Sequence, residues 1–371
     1  MKIVKSFLVL IFWVLLIVGC GSISDPESAV NRLEPDLIFT PDQVDSIAAV
    51  LAKFPNQTQL SLAIIRDSSV YYYGALRDDD NLIQIDNHDR VFEIGSISKV
   101  FTSTLLAHAV MEGLVEPDRP VADNLDFSIH ENPQFTWLQL SNHTAGLPRL
   151  PNGYLLNFLM NMSNPYKNFD EVEVVDFLQH RLDMNYEPGT QHIYSNLGAG
   201  ILGLFLGLIE EKSYEELLKE KIFDPLRMIH STTDRESVEE DLVSGRTKRG
   251  RIAQNWDLAA LVGAGGVLST VSDLSSFIIA NFDPENEVLT LQREPTYEVS
   301  ENMEMAMGWF ILPRDSGQRW YWHNGGTGGY RSSIVMDPDQ KIGVVVLSNI
   351  SAGHSEAGKI DKLSFDLMKG H

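Results

Sequence analysis

One cysteine, Cys20, is all that the 371-residue sequence offers. No intrachain disulfide can form, and no zinc site built from several thiolates is available. Basic residues are also scarce. Lys and Arg number 29 against 51 Asp and Glu, a formal charge of −22. A surface that negative repels phosphate and argues against nucleic acid as a partner. None of the ten histidines falls in a His-Glu-x-x-His zinc pattern. Internal repeats and low-complexity tracts are missing too. The balance that is present, 43% hydrophobic and 22% charged, is that of a globular chain rather than a disordered one. Its length exceeds the roughly 250–300 residues at which single cores stop growing. One two-lobed unit or two domains both fit.

The N-terminus reads as an address. Lys2 and Lys5 precede an apolar run from Phe7 to Val18, shorter than the about 20 residues a spanning helix needs. A basic start, a short apolar stretch and small residues after it make a secretory signal. Its end, Leu16-Ile17-Val18-Gly19-Cys20, resembles the bacterial lipobox. That resemblance implies removal of residues 1–19, lipid on Cys20, and a membrane-anchored lipoprotein of the bacterial cell envelope facing away from the cytoplasm. The alternative is a plain signal peptide with an incidental cysteine. Residues 20–36 are polar, carry no periodic pattern and read as a tether.

Further along, Thr40–Lys53 has helical apolar spacing with Pro41 near its start. Leu60–Ile65 and Val70–Tyr73 read as a hairpin around Asp67-Ser68-Ser69. Ser98–Glu112 is helical and stops before Gly113. From about Glu116 to Arg251 the pattern is mostly helix and loop, with Asp170–Leu182 and Tyr214–Ile222 the clearest helices. Strands return at Arg319–His323, Ser332–Met336 and Ile342–Leu347. Ser355–Lys369 closes the chain as a helix. The economical architecture is one domain over 37–371. Its α/β lobe is built from about 37–115 and 252–371, with a helical lobe inserted at about 116–251.

Three stretches carry chemistry. In Phe92-Glu93-Ile94-Gly95-Ser96-Ile97-Ser98-Lys99, Ser96 starts a helix and Lys99 lies one turn on, on the same face. A serine hydroxyl becomes a nucleophile when a neighbour takes its proton. A lysine can do so if burial or a nearby cation lowers its pKa. In Pro188-Gly189-Thr190-Gln191-His192-Ile193-Tyr194-Ser195-Asn196, Tyr194 and Asn196 point the same way if the segment is extended. A phenol can relay a proton and an amide can hold a carbonyl. In Trp322-His323-Asn324-Gly325-Gly326-Thr327-Gly328-Gly329-Tyr330, glycines let a substrate lie against the backbone, and their N–H groups can face an oxyanion. This is no phosphate loop, since it lacks the Gly-Lys-Ser/Thr ending. Each stretch alone also fits a bland role: a helix cap, a packed tyrosine, a hairpin loop.

In this order, Ser-x-x-Lys, Tyr-x-Asn and His-x-Gly resemble the penicillin-recognising serine hydrolases, in particular the branch of class C β-lactamases, D-Ala-D-Ala carboxypeptidases and esterases. Ser141-Asn142-His143-Thr144-Ala145-Gly146-Leu147-Pro148, Ile222-Phe223-Asp224-Pro225-Leu226, the run from Gly263 to Leu274 and Ala306-Met307-Gly308-Trp309 look like that branch as well. The resemblance covers about Phe39 to the end. It implies an α+β, β-lactamase/transpeptidase-like fold: an antiparallel sheet flanked by helices, plus an all-helical lobe. It implies Ser96 as the acylated nucleophile, with Lys99 and Tyr194 sharing the general-base role. Asn196 would hold the substrate amide. The backbone N–H groups of Ser96 and Gly326 would form the oxyanion hole, and His323 and Gly325 would line the opposite wall. No cofactor and no metal are implied. The partners are a small-molecule or peptide substrate, cell-wall peptide among the options, and a membrane through the lipid.

The pattern departs from the β-lactamases at His323, where they usually carry lysine. An imidazole titrating near ~6.5 would attract a substrate carboxylate only in part at neutral pH. This favours a carboxypeptidase or esterase over an efficient β-lactamase and predicts a pH gate for anionic substrates. A catalytically weak binding protein of the same fold and a true β-lactamase remain alternatives. His143 is expected to pack locally. Trp320 and Trp322 should share one sheet face, and Arg246, Lys248, Arg249 and Arg251 should mark a solvated loop.

Overall fold

The computed structural model describes residues 29–151 and 163–370. Cys20, the signal segment 1–19, the start of the tether and residues 152–162 lie outside the described residues. In chain order the elements are β1 (Val30–Asn31), α1 (Pro41–Leu51), β2 (Gln59–Arg66), β3 (Ser69–Asp78), β4 (Asn81–Ile85), β5 (Phe92–Glu93) and α2 (Ser98–Met111). Then come α3 (Trp137–Ser141), α4 (Glu171–His180), α5 (Asn196–Glu210) and α6 (Tyr214–Leu218). The last third holds β6 (Leu268–Ser269), α7 (Val271–Asn281), α8 (Glu287–Gln292), β7 (Tyr297–Ser300), β8 (Met303–Met305) and β9 (Phe310–Pro313). It ends with β10 (Arg319–Gly326), β11 (Arg331–Asp337), β12 (Ile342–Ser348) and α9 (Lys359–Lys369).

The described strands form a ten-stranded sheet in the order β1-β4-β3-β2-β12-β11-β10-β9-β8-β7, with β5 and β6 paired apart from it. The two ends of the chain meet where β2 runs antiparallel to β12, with Ala63 opposite Val345. Residues of β2 and β12 alternate between two covered faces, as the period of a strand requires. Leu62, Ile64, Val344 and Val346 pack with Ile47 and Leu51 of α1 and Leu363 and Leu367 of α9. Ala63, Ile65, Val345 and Leu347 belong to a second, larger cluster. That cluster continues through Phe101 and Leu105 of α2 to Leu202 and Phe205 of α5 and Phe277 of α7. The described residues between 116 and 251 contribute α3 to α6 and no strand of the large sheet. Core thus runs unbroken from the sheet into the helical segment, and α2 sits inside it.

Local chemistry explains the boundaries. Thr40 caps α1 through a reciprocal pair: Gln43 N–H donates to Thr40 Oγ1 at 3.4 Å and Thr40 N–H donates to Gln43 Oε1 at 3.0 Å. Asp170 caps α4, with Glu173 N–H donating to its carboxylate at 3.0 Å. The helix expected over Tyr214–Ile222 stops at Leu218 and passes into a wider π turn over Lys219–Phe223. Trp320 and Trp322 do share a face, both against Phe365 of α9. Lys248, Arg249 and Arg251 are exposed around a tight turn.

Two expectations change. The tether is not free to its end at residue 36. From Val30 it is docked as β1, which adds to the sheet parallel to β4. Val30 N–H donates to Asp80 O at 2.7 Å and Arg32 N–H to Leu82 O at 2.9 Å. The edge strand β4 supplies the open backbone groups that a polar sequence pattern does not reveal. The sheet is therefore mixed, with this one parallel pair. The second change is in β10, which does not end at His323. It runs on through Asn324, Gly325 and Gly326, paired with β11 as far as Arg331.

The glycines explain why β10 can do this. A Cβ on Gly325 would stand 1.8 Å from Ile94 O, and one on Gly95 would stand 2.5 Å from Gly326 N. The strand lies backbone to backbone against the turn that carries Ser96. Gly325→Ala is expected to destabilise the protein by roughly 1–3 kcal/mol, the usual scale of overpacking. Gly358→Ala, with nothing within 4 Å of its added methyl, should be near neutral. Urea denaturation of both variants checks this. Equal midpoints would remove the close strand–turn contact as the reason for glycine at 325.

Candidate active site

Ser96 sits in a single 3-10 turn, Gly95–Ile97, directly before α2. Gly95 adopts φ +53, a backbone region that glycine enters without strain. Three buried contacts hold the turn. Ser98 Oγ donates to Gly95 O at 2.7 Å, and Val267 N–H donates to Ser98 Oγ at 3.0 Å. Ser332 Oγ on β11 donates to Ile94 O at 2.7 Å. Ser98 and Ser332 were not legible as site residues. Both work by fixing the backbone on which Ser96 stands. Gly326 N lies beside Gly95, which brings together the Ser96 and Gly326 regions expected to hold an oxyanion.

Lys99 is the centre of the arrangement. It is 1% exposed, although lysine is almost never fully buried. Its Nζ lies 3.3 Å from Ser96 Oγ, 2.9 Å from Asn196 Oδ1 and 2.6 Å from Ala264 O. No carboxylate is among these partners. Burial, reinforced by the Arg149 guanidinium, pushes the Lys99 amine well below its ordinary value. Nζ donates to Ser96 Oγ, Asn196 Oδ1 and Ala264 O, and the lowered pKa makes one of its protons easier to lose than that of an ordinary lysine.

Tyr194 is shifted the opposite way. Burial raises its phenol well above the ordinary value, while a hydrogen bond with Ser96 and the Arg149 charge pull it partly back. Lys99 Nζ lies 4.8 Å from the centre of its ring. A neutral amine beside a neutral phenol holds as many protons as an ammonium beside a phenolate. Low polarity favours the uncharged pair. The raised pKa makes the phenol hold its proton more tightly than an ordinary tyrosine.

The segment that carries Tyr194 is not extended as far as Asn196. Ser195 caps α5, and Asn196 is the first residue of that helix. The two side chains still converge, because they flank the cap. Asn196 is tied at both ends: its Oδ1 accepts from Lys99, and its Nδ2 donates to the Tyr166 hydroxyl at 2.9 Å. It holds the base in place as well as facing the cavity. His143 packs locally as expected. Its Nδ1 accepts the Ser195 N–H at 3.4 Å and its ring meets that of Tyr194 at 4.5 Å.

His323 is placed differently from expectation. It lies beneath the cavity, 1% exposed, packed between Phe310 and Tyr194. Its Nδ1 is 2.7 Å from Asn324 O. Burial above all, with the Arg331 charge adding to it, holds its pKa down at about 3. The imidazole is neutral across the physiological range, so the expected pH gate near 6.5 disappears. The sequence pattern placed the residue on the wall but could not show that the side chain points inward.

The cavity above Ser96 has a volume of about 160 Å³ and includes Arg149, Tyr166, Asn196, Trp256 and Gly326 in its wall. Arg149, Tyr166 and Trp256 escaped the sequence reading. Arg149 directly follows Pro148 of a quoted motif, which was the one available signal. Tyr166 and Trp256 come from loops, with ring centroids 5.7 Å apart. Trp256 is steadied from behind by buried Glu93, whose Oε1 accepts Trp256 N–H at 3.1 Å and Asn255 Nδ2 at 2.7 Å.

A neutral buried imidazole has a direct signature. The proton NMR signal of His323, assigned by its loss in His323→Asn, should not titrate between about pH 8 and about pH 5, a window that spans the ordinary imidazole value. Folding linkage has a matching sign. The unfolded chain takes up this proton near ~6.5 and the folded chain only near about 3, so His323 costs stability as pH falls between the two. An inflection near 6.5 in the folded protein would return the ring to solvent.

The beta-lactamase family model matches residues 47–368. The chain is 24% identical to a beta-lactamase of Pseudomonas fluorescens over 85% of its length and 95% of that protein's. It is 25% identical to the D-alanyl-D-alanine-carboxypeptidase/endopeptidase AmpH of Escherichia coli K12, over 88% of both chains. Among solved structures it is similar to a beta-lactamase/D-alanine carboxypeptidase from Pseudomonas syringae, with TM-score 0.73 and 20% identity, covering 88% of this chain and 97% of that one. A nucleophile turn, a buried amine against it and a family match over most of the sequence agree: the chain belongs to the beta-lactamase family of penicillin-recognising serine hydrolases.

Proposed function

We propose that the protein is a serine hydrolase that forms an acyl-enzyme on Ser96 and cleaves a D-amino-acid peptide or a small ester, with β-lactam amides as poorer substrates. The observation that carries this reading is the buried Lys99 amine, its pKa lowered by burial, 3.3 Å from Ser96 Oγ and also bonded to Asn196 Oδ1 and Ala264 O. In the first step Ser96 Oγ bonds to the substrate carbonyl carbon and its proton goes to Lys99. The oxyanion faces the N–H groups of Ser96 and Gly326. As the C–N or C–O bond breaks, the proton passes by way of the Tyr194 hydroxyl to the leaving nitrogen or oxygen. In the second step water adds to the acyl carbon and gives up a proton to the same pair; the ester to Ser96 then breaks, and that proton passes to Ser96 Oγ, restoring the hydroxyl. The lower rank given to β-lactams follows from histidine at position 323 in place of the usual lysine: a buried ring there gives a penicillin carboxylate no charge from that side. The names of the relatives, one a beta-lactamase and one a D-alanyl-D-alanine carboxypeptidase, support the two amide classes.

Ser96→Ala should abolish hydrolysis of a p-nitrophenyl ester and all covalent acylation. Loss of the nucleophile costs on the order of 10⁶ in one well-studied serine protease. Intact-protein mass after exposure to D-Ala-D-Ala peptides, short esters and penicillins reads the acyl-enzyme directly. Wild-type turnover by the alanine variant would remove the assignment.

The lipid anchor is the second part of the proposal. Residues 21–29 span at most roughly 30 Å, and β1 fixes the chain at Val30. Acylation of Cys20 would hold the hydrolase close to a membrane of the cell envelope. Cys20→Ser should move the protein from the membrane to the soluble fraction, because stable attachment needs acyl chains that the variant cannot carry. Recovery of the variant in the membrane pellet at the wild-type level would overturn the anchor.

A further inference from the structure

We propose that Arg149 selects the substrate, its guanidinium pairing with a carboxylate that the substrate carries. This rests on the acyl-enzyme reading of Ser96 and names the class of molecule that reaches it.

The basic side chains near the cavity differ in what each already holds. Lys99 is buried and its polar partners are Ser96, Asn196 and Ala264. His323 is buried and packed against Phe310 and Tyr194. Arg331, on the strand beside Gly326, is bonded to Asp361, which also accepts from Asn324. Its charge is cancelled within the fold. Arg149 alone is different. It is exposed and lines the same cavity as Ser96. Among the described residues it forms no ion pair with a carboxylate, although the chain has 51 Asp and Glu. The described cavity wall contains no acidic residue either.

Its position is built rather than accidental. The Arg149 carbonyl accepts the N–H groups of Asn196 at 3.1 Å and Leu197 at 3.2 Å. The residue is thereby pinned to the start of α5, one of the two helices that deliver the reacting groups. The guanidinium stands 5.2 Å from the centre of the Tyr194 ring, and the residue lines the cavity above Ser96. A planar fork of donors binds a carboxylate with two parallel hydrogen bonds, something neither a neutral imidazole nor an amide can match. A substrate lying over Arg149 would also exclude water from the pair, raising its worth above that of an exposed surface bridge.

The carboxylate can lie in either half of the substrate, and matched esters separate the two. On the acyl side, the p-nitrophenyl monoester of glutaric acid is compared with p-nitrophenyl butyrate. On the leaving side, the acetyl ester of 3-hydroxybenzoate is compared with the acetyl ester of its methyl ester. The expected result is that wild type favours the acidic member of at least one pair. Arg149→Gln should lower kcat/KM for that member by roughly tenfold or more, the scale of a hydrogen bond to a charged group, beyond whatever it takes from the neutral member through the loss of its charge beside Lys99 and Tyr194. Arg149→Lys should recover part of the loss. An equal fall for acidic and neutral esters would mean that Arg149 acts on Lys99 or Tyr194 and not on substrate. No fall for either, or a wild type that favours neutral esters in both pairs, would equally overturn the proposal. Ser96→Ala runs beside these variants. If turnover survives without Ser96, the acyl-enzyme reading itself fails. If turnover depends on Ser96 and the Arg149 arms are equal, only the pairing fails.

Discussion

The structure turns on one buried amine. Lys99 is taken out of water with no carboxylate among its described partners, and each pKa unit of the resulting shift represents about 1.4 kcal/mol favouring the neutral form. Its surroundings are three oxygens: Ser96 Oγ, Asn196 Oδ1 and Ala264 O. Each partner comes from a different part of the chain. Ser96 comes from the turn before α2, Asn196 from the start of α5, and Ala264 from the segment before β6. The site forms only when sheet and helical segment share a core, which they do through the cluster that encloses α2.

That constraint explains the glycines and small polar residues around the site. The Ser96 turn must press against β10 so that the Gly326 backbone reaches the reacting centre. Gly95 and Gly325 allow the contact, since a Cβ on either would collide with backbone. Ser98 and Ser332 then lock the turn with buried hydrogen bonds. Glu93, one turn of chain earlier, holds Trp256 on the far wall. Each of these residues is silent chemically and fixes where a reacting group stands.

Charge is distributed with the same economy. Burial moves Lys99 and Tyr194 in opposite directions, the amine down and the phenol up. Burial holds the pKa values of His323 and His143 down. Arg331 is cancelled by Asp361. The single cation left facing the cavity among the described residues is Arg149.

The sequence by itself determined the family, the broad α+β arrangement, and Ser96, Lys99, Tyr194 and Asn196 as one group. The reason is that these depend on residue type at fixed spacing and on local signals such as the Thr40 and Asp170 caps, all of which are read within a few residues of chain. Tertiary structure alone decided the rest. Whether His323 faces the cavity or the core depends on Phe310 and Tyr194 packing around it, and its pKa follows from that burial rather than from its side chain. Arg149, Tyr166 and Trp256 reach the wall from loops whose course no periodicity encodes. The extension of β10 through Gly326 and the docking of β1 on β4 depend on partners far away in sequence. Spacing along a chain names the reacting atoms. Only the packed fold sets which of them are buried, which are charged, and which cation remains for a substrate.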